Sequence, residues 1–372
     1  VQLLRDVELD ASSAGSRSGA INISGSKNLT IDGAKHIIKA VSNFNRDTNT
    51  SWATVGDHHV INIGDGATVT IQNLTIDGGW EGDTVDTAES FNAARSGINV
   101  WENNNATVTL QNVKINKCST YAVTANGSTV NIDGLTTTGN RWGVDVEDGS
   151  TVTIETANIA EDVVYESSSA DSSLTIHDGT YGTVKVQQQD PGETKGTVSI
   201  NGGNVNKVTT DVDTSANATA NVTVTGAIVG TVEKNNSKGT VSVIDSKITG
   251  TAPTAESNVI MLNCTNGSGV KLDDVVPADT KPFLVNGVGY DTLSEALDEV
   301  SDGGTIVLTK TTPVDAGTTT INKNVTIVGN GYGLTMTAPS TDHAKALILQ
   351  DNLTLDNVKL TINGDTNGLG DA

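Results

Sequence analysis

The chain has 372 residues, 22 basic and 44 acidic, for a formal net charge of −22, with aromatics at 3% and 39 glycines. That acidity argues against a nucleic-acid partner, whose binding draws on cations set against phosphates. No apolar run approaches the ~18 residues of a membrane span, so no membrane insertion is expected. Abundant Gly, Thr, Val, Asn and Asp beside 35% hydrophobic residues describe a long all-β chain better than a helical or disordered one. Two cysteines, Cys118 and Cys264, are too few for a disulfide framework.

In chain order, one short pattern recurs: aliphatic, small polar, aliphatic, any residue, turn-former. Twelve copies start at Leu29, Val69, Val108, Val130, Val152, Leu174, Val198, Val222, Val241, Val270, Val325 and Leu353, each with Ile, Leu or Val two positions later. A period of two predicts a strand with that pair facing inward. Four positions after each start stand Gly33, Asn73, Asn112, Gly134, Thr156, Asp178, Gly202, Gly226, Asp245, Asp274, Gly329 and Asn357. All but Thr156 tolerate a positive φ, which predicts the same sharp bend at the end of every strand. Spacings of 22 and 24 residues between starts suit one solenoid coil apiece, whereas hairpins need only about 8 to 12. Between the inward pair, ten of the twelve copies carry Thr or Ser, residues that suit a pleated outer face.

This repeat resembles the pectate-lyase-like right-handed parallel β-helix superfamily over about 240 of the first 275 residues. Most similar are the adhesive β-helix domains of bacterial surface proteins. The resemblance implies an all-β, single-stranded parallel solenoid whose like residues stack at ~4.8 Å per coil, on a bacterial cell surface or secreted. On that register Cys118 and Cys264 lie too many coils apart to bridge and are expected as free thiols.

A second level of repetition begins at Phe283. One short helix is predicted near 292–300, with Thr292 and Glu295 spaced as a capping box and Leu293, Ala296, Leu297 and Val300 on one face. Such a helix covers the open end of a solenoid. The chain beyond this helix parallels its own beginning: Thr305–Lys310 matches Val1–Arg5, Asn324–Gly329 matches Asn28–Gly33, and the stretch from Asp342 matches that from Asp57. The expected domains are therefore a β-helix over 1–282 and the start of a second copy over 283–372. A first copy without a cap and a second without an end suggest one section of a tandem array, with neighbouring β-helix repeats of the same polypeptide as partners.

Chemistry concentrates in the first coils. All Arg (Arg5, Arg17, Arg46, Arg95, Arg141) and all Trp (Trp52, Trp80, Trp101, Trp142) precede residue 143. Two insertions, 41–57 and 77–96, leave the coil at one corner and carry Phe44, Trp52, Trp80 and Phe91 with Asp47, Glu81, Asp83, Asp86 and Glu89; they read either as a satellite core or as a groove wall. Aligning the strand after them gives four outward columns: His58, Arg95, Ser119, Arg141; Val60, Gly97, Tyr121, Gly143; Asn62, Asn99, Val123, Asp145; and Gly64, Trp101, Ala125, Glu147. Ile61, Ile98, Ala122 and Val144 are expected to point inward.

That mixture of flat rings and planar polar groups suits sugar binding. Trp101, Tyr121 and Trp142 are expected as platforms, with Arg95, Arg141, Asn99, Asp145 and Glu147 as polar contacts to a polysaccharide or host glycan. The alternative is a divergent polysaccharide lyase or glycoside hydrolase acting on acidic polysaccharide, with Arg141, Asp145 and Glu147 catalytic. The motifs of those enzyme families are missing, and no Arg is followed by Pro. No cofactor and no structural metal site are expected, since acidic residues lack EF-hand spacing and His and Cys do not cluster; adventitious calcium at acidic turns is the exception.

Overall fold

The computed structural model describes residues 1–9, 19–41, 44, 58–82, 93–101, 105–187, 194–211, 219–235, 238–314, 317–339 and 345–363. The chain forms two compact units: Val1–Gly239 with Ser246–Ala252 and Asn266–Gly269, and Thr240–Asp245 with Pro253–Thr265 and Val270–Ala372.

The first unit is a right-handed parallel β-helix. Leu29, Val69, Val108, Val130, Val152, Leu174, Val198 and Val222 are register partners in successive parallel pairs, and so are Ile31, Ile71, Leu110, Ile132, Ile154, Ile176, Ile200 and Val224. From Val69 onward both ranks are buried, because β-branched and Leu side chains at period two present one continuous apolar face to the axis. Each fully buried Val, Leu or Ile contributes about 1.5–3 kcal/mol. A second strand per coil stacks Ile38, Ile76 and Ile115, and a third stacks Ile21, Ile61, Ile98 and Val123.

The bends differ in detail from the expectation. Positive φ occurs at Asn73, Asn112, Gly134, Gly226, Asp245 and Asn357, as predicted. In four other copies it falls one residue later, at Ala34, Gly179, Gly203 and Asn330 after Gly33, Asp178, Gly202 and Gly329. In these ten of the twelve copies the corner keeps its place to within one residue, whereas the strand from Val152 runs on through Thr156 without a positive φ. Val270 is a correction of another kind. It is 60% exposed and stands beside an antiparallel bridge between Thr265 and Lys271, so the pattern there marks a turn and no coil.

The outward Thr and Ser of the first strand form a rank with Thr70, Thr109 and Thr153 at its centre, and two residues earlier a second rank runs through Thr68, Thr107, Thr129, Thr151, Ser173 and Thr197.

In the second unit, Phe283–Val285 pairs antiparallel with Val288–Tyr290 and with Gly304–Leu308, and Gly304–Leu308 begins a parallel ladder through Val325–Val328 to Leu353–Asp356. The helix Leu293–Glu299 has the expected capping box: Glu295 N donates to Thr292 Oγ1 at 3.2 Å and Thr292 N donates to Glu295 Oε2 at 3.1 Å. Leu293, Ala296, Leu297 and Val300 pack with Phe283, Ile306 and Ile327 in one core. Cys118 and Cys264 are both buried and free.

Candidate functional site

The third strand of the early coils carries the site: Gly19–Ile23, His59–Ile63, Ile98–Val100, Tyr121–Ala125 and Trp142–Val146. Register partners place Asn22, Asn62, Asn99, Thr124, Asp145 and Val164 in one column. This corrects the aligned columns by one residue on the fourth coil. Thr124, and not Val123, stands between Asn99 and Asp145, while Val123 joins the inward rank of Ile98 and Val144 in place of Ala122. Tyr121 pairs with Trp142 and not with Gly143. The cause is burial: a one-residue slip moves every side chain to the other face, and the observed register sets Val123, fully buried, in line with the aliphatic rank.

Two glycines let this strand begin close to the core. A Cβ at Gly143 would sit 2.4 Å from Ile159 Cγ2, and one at Gly97 2.5 Å from Ile115 Cγ2. Just before Gly143 the chain presents Trp142, whose ring stacks on Tyr121 at 5.0 Å between centroids and 28° between planes. The Arg141 guanidinium lies 3.9 Å from the centroid of the Trp142 ring. Such stacking and cation–π contacts are each worth roughly 0.5–1.5 kcal/mol and hold the three side chains as one slab.

Beside that slab opens a cavity of about 130 Å³ lined by His59, Arg95, Ser96, Asn99, Trp101, Tyr121, Thr124 and Glu147. Five of the expected site residues therefore come together on it: Arg95, Asn99, Trp101, Tyr121 and Glu147. Trp142 and Arg141 reach it through Tyr121, and Asp145 lies fully buried at 0% exposure beside Thr124. Trp101 also walls a second cavity of about 210 Å³, with Asn22, Ser24, Asn62 and Asp65. Along the floor, Asn99 Nδ2 donates to Asn62 Oδ1 at 2.7 Å, and Ser96 Oγ meets Thr124 Oγ1 at 3.3 Å.

The carboxyls are unusual. Oxygens of Asp145, Glu147 and Glu166 all lie within 4.8 Å of one another, and among the described residues this is the group able to converge on one cation. Glu147 Oε2 accepts from Asn126 Nδ2 at 2.7 Å and Glu166 Oε2 from Gln187 Nε2 at 2.6 Å. Among the described residues neither oxygen of Asp145 meets a donor. Burial, and then the adjacent Glu147 and Glu166, hold the Asp145 carboxyl well above the usual carboxylate range, so it keeps its proton; burial also raises Glu166. His59, 6% exposed and with no partner for Nδ1 among the described residues, is pushed down to about 3 by burial and then by His58, and is neutral.

Sequence reasoning missed His59, Ser96, Thr124 and Glu166. For Glu166 only the register reveals the match: Val163, Val164 and Tyr165 pair with Val144, Asp145 and Val146, so the residue after each is an acid, Glu166 and Glu147. Of the insertion residues, Phe44 is buried and its carbonyl lies 3.1 Å from His58 Nδ1. Trp80 Nε1 is buried without a partner among the described residues, and Glu81 pairs with Lys117 at 2.9 Å. Trp52, Phe91, Asp47, Asp83, Asp86 and Glu89 lie outside the described residues.

No protein-family model, no curated protein and no solved structure matches this chain.

Proposed function

We propose that the first unit is a non-enzymatic carbohydrate-binding β-helix displayed on a bacterial surface or secreted, and that it holds a polysaccharide or host glycan in the cleft beside Tyr121 and Trp142. The observation that carries this reading is the cavity lined by Trp101 and Tyr121 over a floor of Asn99, Ser96 and Thr124. Flat rings suit the apolar face of a sugar, and convergent amides and hydroxyls suit its hydroxyl groups. Trp101 faces two adjoining cavities, which favours a chain of several sugar units over a single one. Kinship with the pectate-lyase-like adhesive β-helices belongs to the same proposal, supported by the repeated aliphatic pair and corner. The test is a glycan array with the wild type and Trp101→Ala. Loss of about 2 kcal/mol of affinity, some thirtyfold, is expected for removing a stacking ring from a hot spot; unchanged binding by a variant that melts like the wild type refutes the reading.

A second reading, hydrolysis, is favoured by one observation: a protonated Asp145 beside Glu147 and Glu166 offers the acid and the carboxylates that glycoside hydrolysis uses. New reducing ends without unsaturated uronates on prolonged incubation with acidic polysaccharides would establish it, with Asp145→Asn as the inactive control.

A further inference from the structure

We propose that the saccharide taken by this cleft carries a protonated amine, whose ammonium seats among the carboxyls of Asp145, Glu147 and Glu166. The inference rests on the cleft being a saccharide site and adds the class of sugar.

Charge balance comes first. Three carboxyls converge, one of them, Glu147, on the cleft wall; among the described residues the cations bearing on them are Arg141 and Lys185, and Arg95 stands on the same cavity wall. The Arg141 guanidinium lies over Trp142, and Lys185, next to Val164 on the adjacent coil, bears on Glu166. Among the described residues Glu147 and Glu166 each accept from one neutral amide, and Asp145 from nothing. A fully enclosed acid with no donor is costly unless it stays protonated or a cation arrives. An acidic sugar would set a further carboxylate against this cluster, and a neutral sugar would leave it as it is.

Geometry is the second line. An ammonium offers three N–H donors at about 2.7–2.9 Å from carboxylate oxygens. Three oxygens spaced at the 4.8 Å limit have a common point that lies about 2.8 Å from each, within that range. Glu147 belongs both to the cluster and to the cavity wall, and Trp101 and Tyr121 line the same cavity, where ring faces attract a cation. His59 is independent of the acids: it lines the same cavity, is neutral and enclosed, has no partner for Nδ1 among the described residues, and adds no competing charge.

Seating an ammonium lets Asp145 ionise, so binding should release a proton and tighten as pH rises from the acid side toward the point where the amine itself deprotonates. Tyr121, Arg141, Glu147, Glu166 and Lys185 are the titratable and charged groups bearing on the cluster, and Arg95 and His59 stand on the same cavity wall.

Titration calorimetry of the full chain decides the matter. The ligands are a β-1,4-linked glucosamine oligomer, its N-acetylated counterpart and an oligogalacturonate of equal length, in two buffers of different protonation enthalpy. The expected result is that the amine form binds at least about tenfold more tightly than the acetylated one, with proton release, and that Glu166→Gln erases the preference while melting like the wild type. Glu147→Gln serves as the second variant should Glu166→Gln not fold. Equal or tighter binding of the acetylated or acidic oligomer overturns the ammonium seat and leaves the cleft reading intact. A preference for the amine form that survives both Glu166→Gln and Glu147→Gln also overturns it. If none of the three oligomers binds, both readings fall.

Discussion

Two of the first unit's outer faces, those of the first and third strands, differ sharply. On the face formed by the first strand of eight coils, two outward ranks run from Asn28 and Thr30 to Asn221 and Thr223; thirteen of the sixteen positions are Thr or Ser, three are Asn, and none is charged. On the third strand the outward column reads Asn22, Asn62, Asn99, Thr124, Asp145, Val164, a different residue at nearly every step. The hydroxyl face stays at least partly exposed, whereas Asn99, Thr124 and Asp145 are buried. A parallel stack demands uniform apolar chemistry inside and only strand-compatible chemistry outside. The varied and partly unsatisfied column is therefore more than folding requires, and it coincides with the cleft.

The largest expected effect would test whether both faces rest on equivalent cores. Ile132 underlies the hydroxyl face and Ile98 the cleft, each at 0% exposure. Ile132→Ala and Ile98→Ala should each cost about 2–5 kcal/mol in urea unfolding, the range for truncating a buried aliphatic side chain. A much smaller loss at Ile98 would mean that the cleft face is not anchored like the other, and the comparison would break.

Next in size is Asp145→Asn. A carboxyl whose folded pKa is raised contributes stability that is fully present below its unfolded value near 3.9 and is lost as pH rises through the folded value. The amide keeps the shape and cannot ionise. The variant should therefore match the wild type near pH 4 and exceed it at pH 8, by about 1–3 kcal/mol, the scale of one unsatisfied buried polar group. His59 has the opposite sign, because its depressed pKa removes stability as pH falls from about 6.5 toward about 3. Both proteins share it, so the difference between their melting temperatures across pH isolates Asp145. A wild type as stable as the variant at pH 8 would show that the carboxyl has found a donor or a counter-ion.

Much of this was legible in the sequence. The aliphatic pair at period two located the inner ranks, because burial on a strand leaves a signature every second residue; the capping box located the helix through its two reciprocal hydrogen bonds. Val270 carried the same local pattern but no coil, since four matching residues do not specify whether a parallel neighbour exists. In the cleft, residue types were legible and register was not. Tyr121–Ala125 offers Ala122, Val123 and Ala125 as candidates for the inside, and choosing among small apolar residues needs the packing of Ile98 and Val144 around them. Glu166 was hidden because its strand, Val163–Val164–Tyr165, lacks the alternation that marks the others.

The smallest effects compare the two faces through one substitution, Thr to Val, which keeps the shape and removes the hydroxyl. Thr153 is half-buried between Asn131 and Thr175 on the hydroxyl face, and water can replace any bond its hydroxyl makes. Thr153→Val should change stability by less than about 0.5 kcal/mol, as surface substitutions usually do. Thr124 is 4% exposed, and its hydroxyl is 3.3 Å from that of Ser96, itself 1% exposed. Thr124→Val strands the Ser96 hydroxyl away from bulk water, and should cost about 1 kcal/mol or more. If the two substitutions cost the same, water reaches Ser96 through the cavity as freely as it reaches Thr153. The floor of the cleft would then be no more demanding than the hydroxyl face, and its varied residues would have lost their physical distinction.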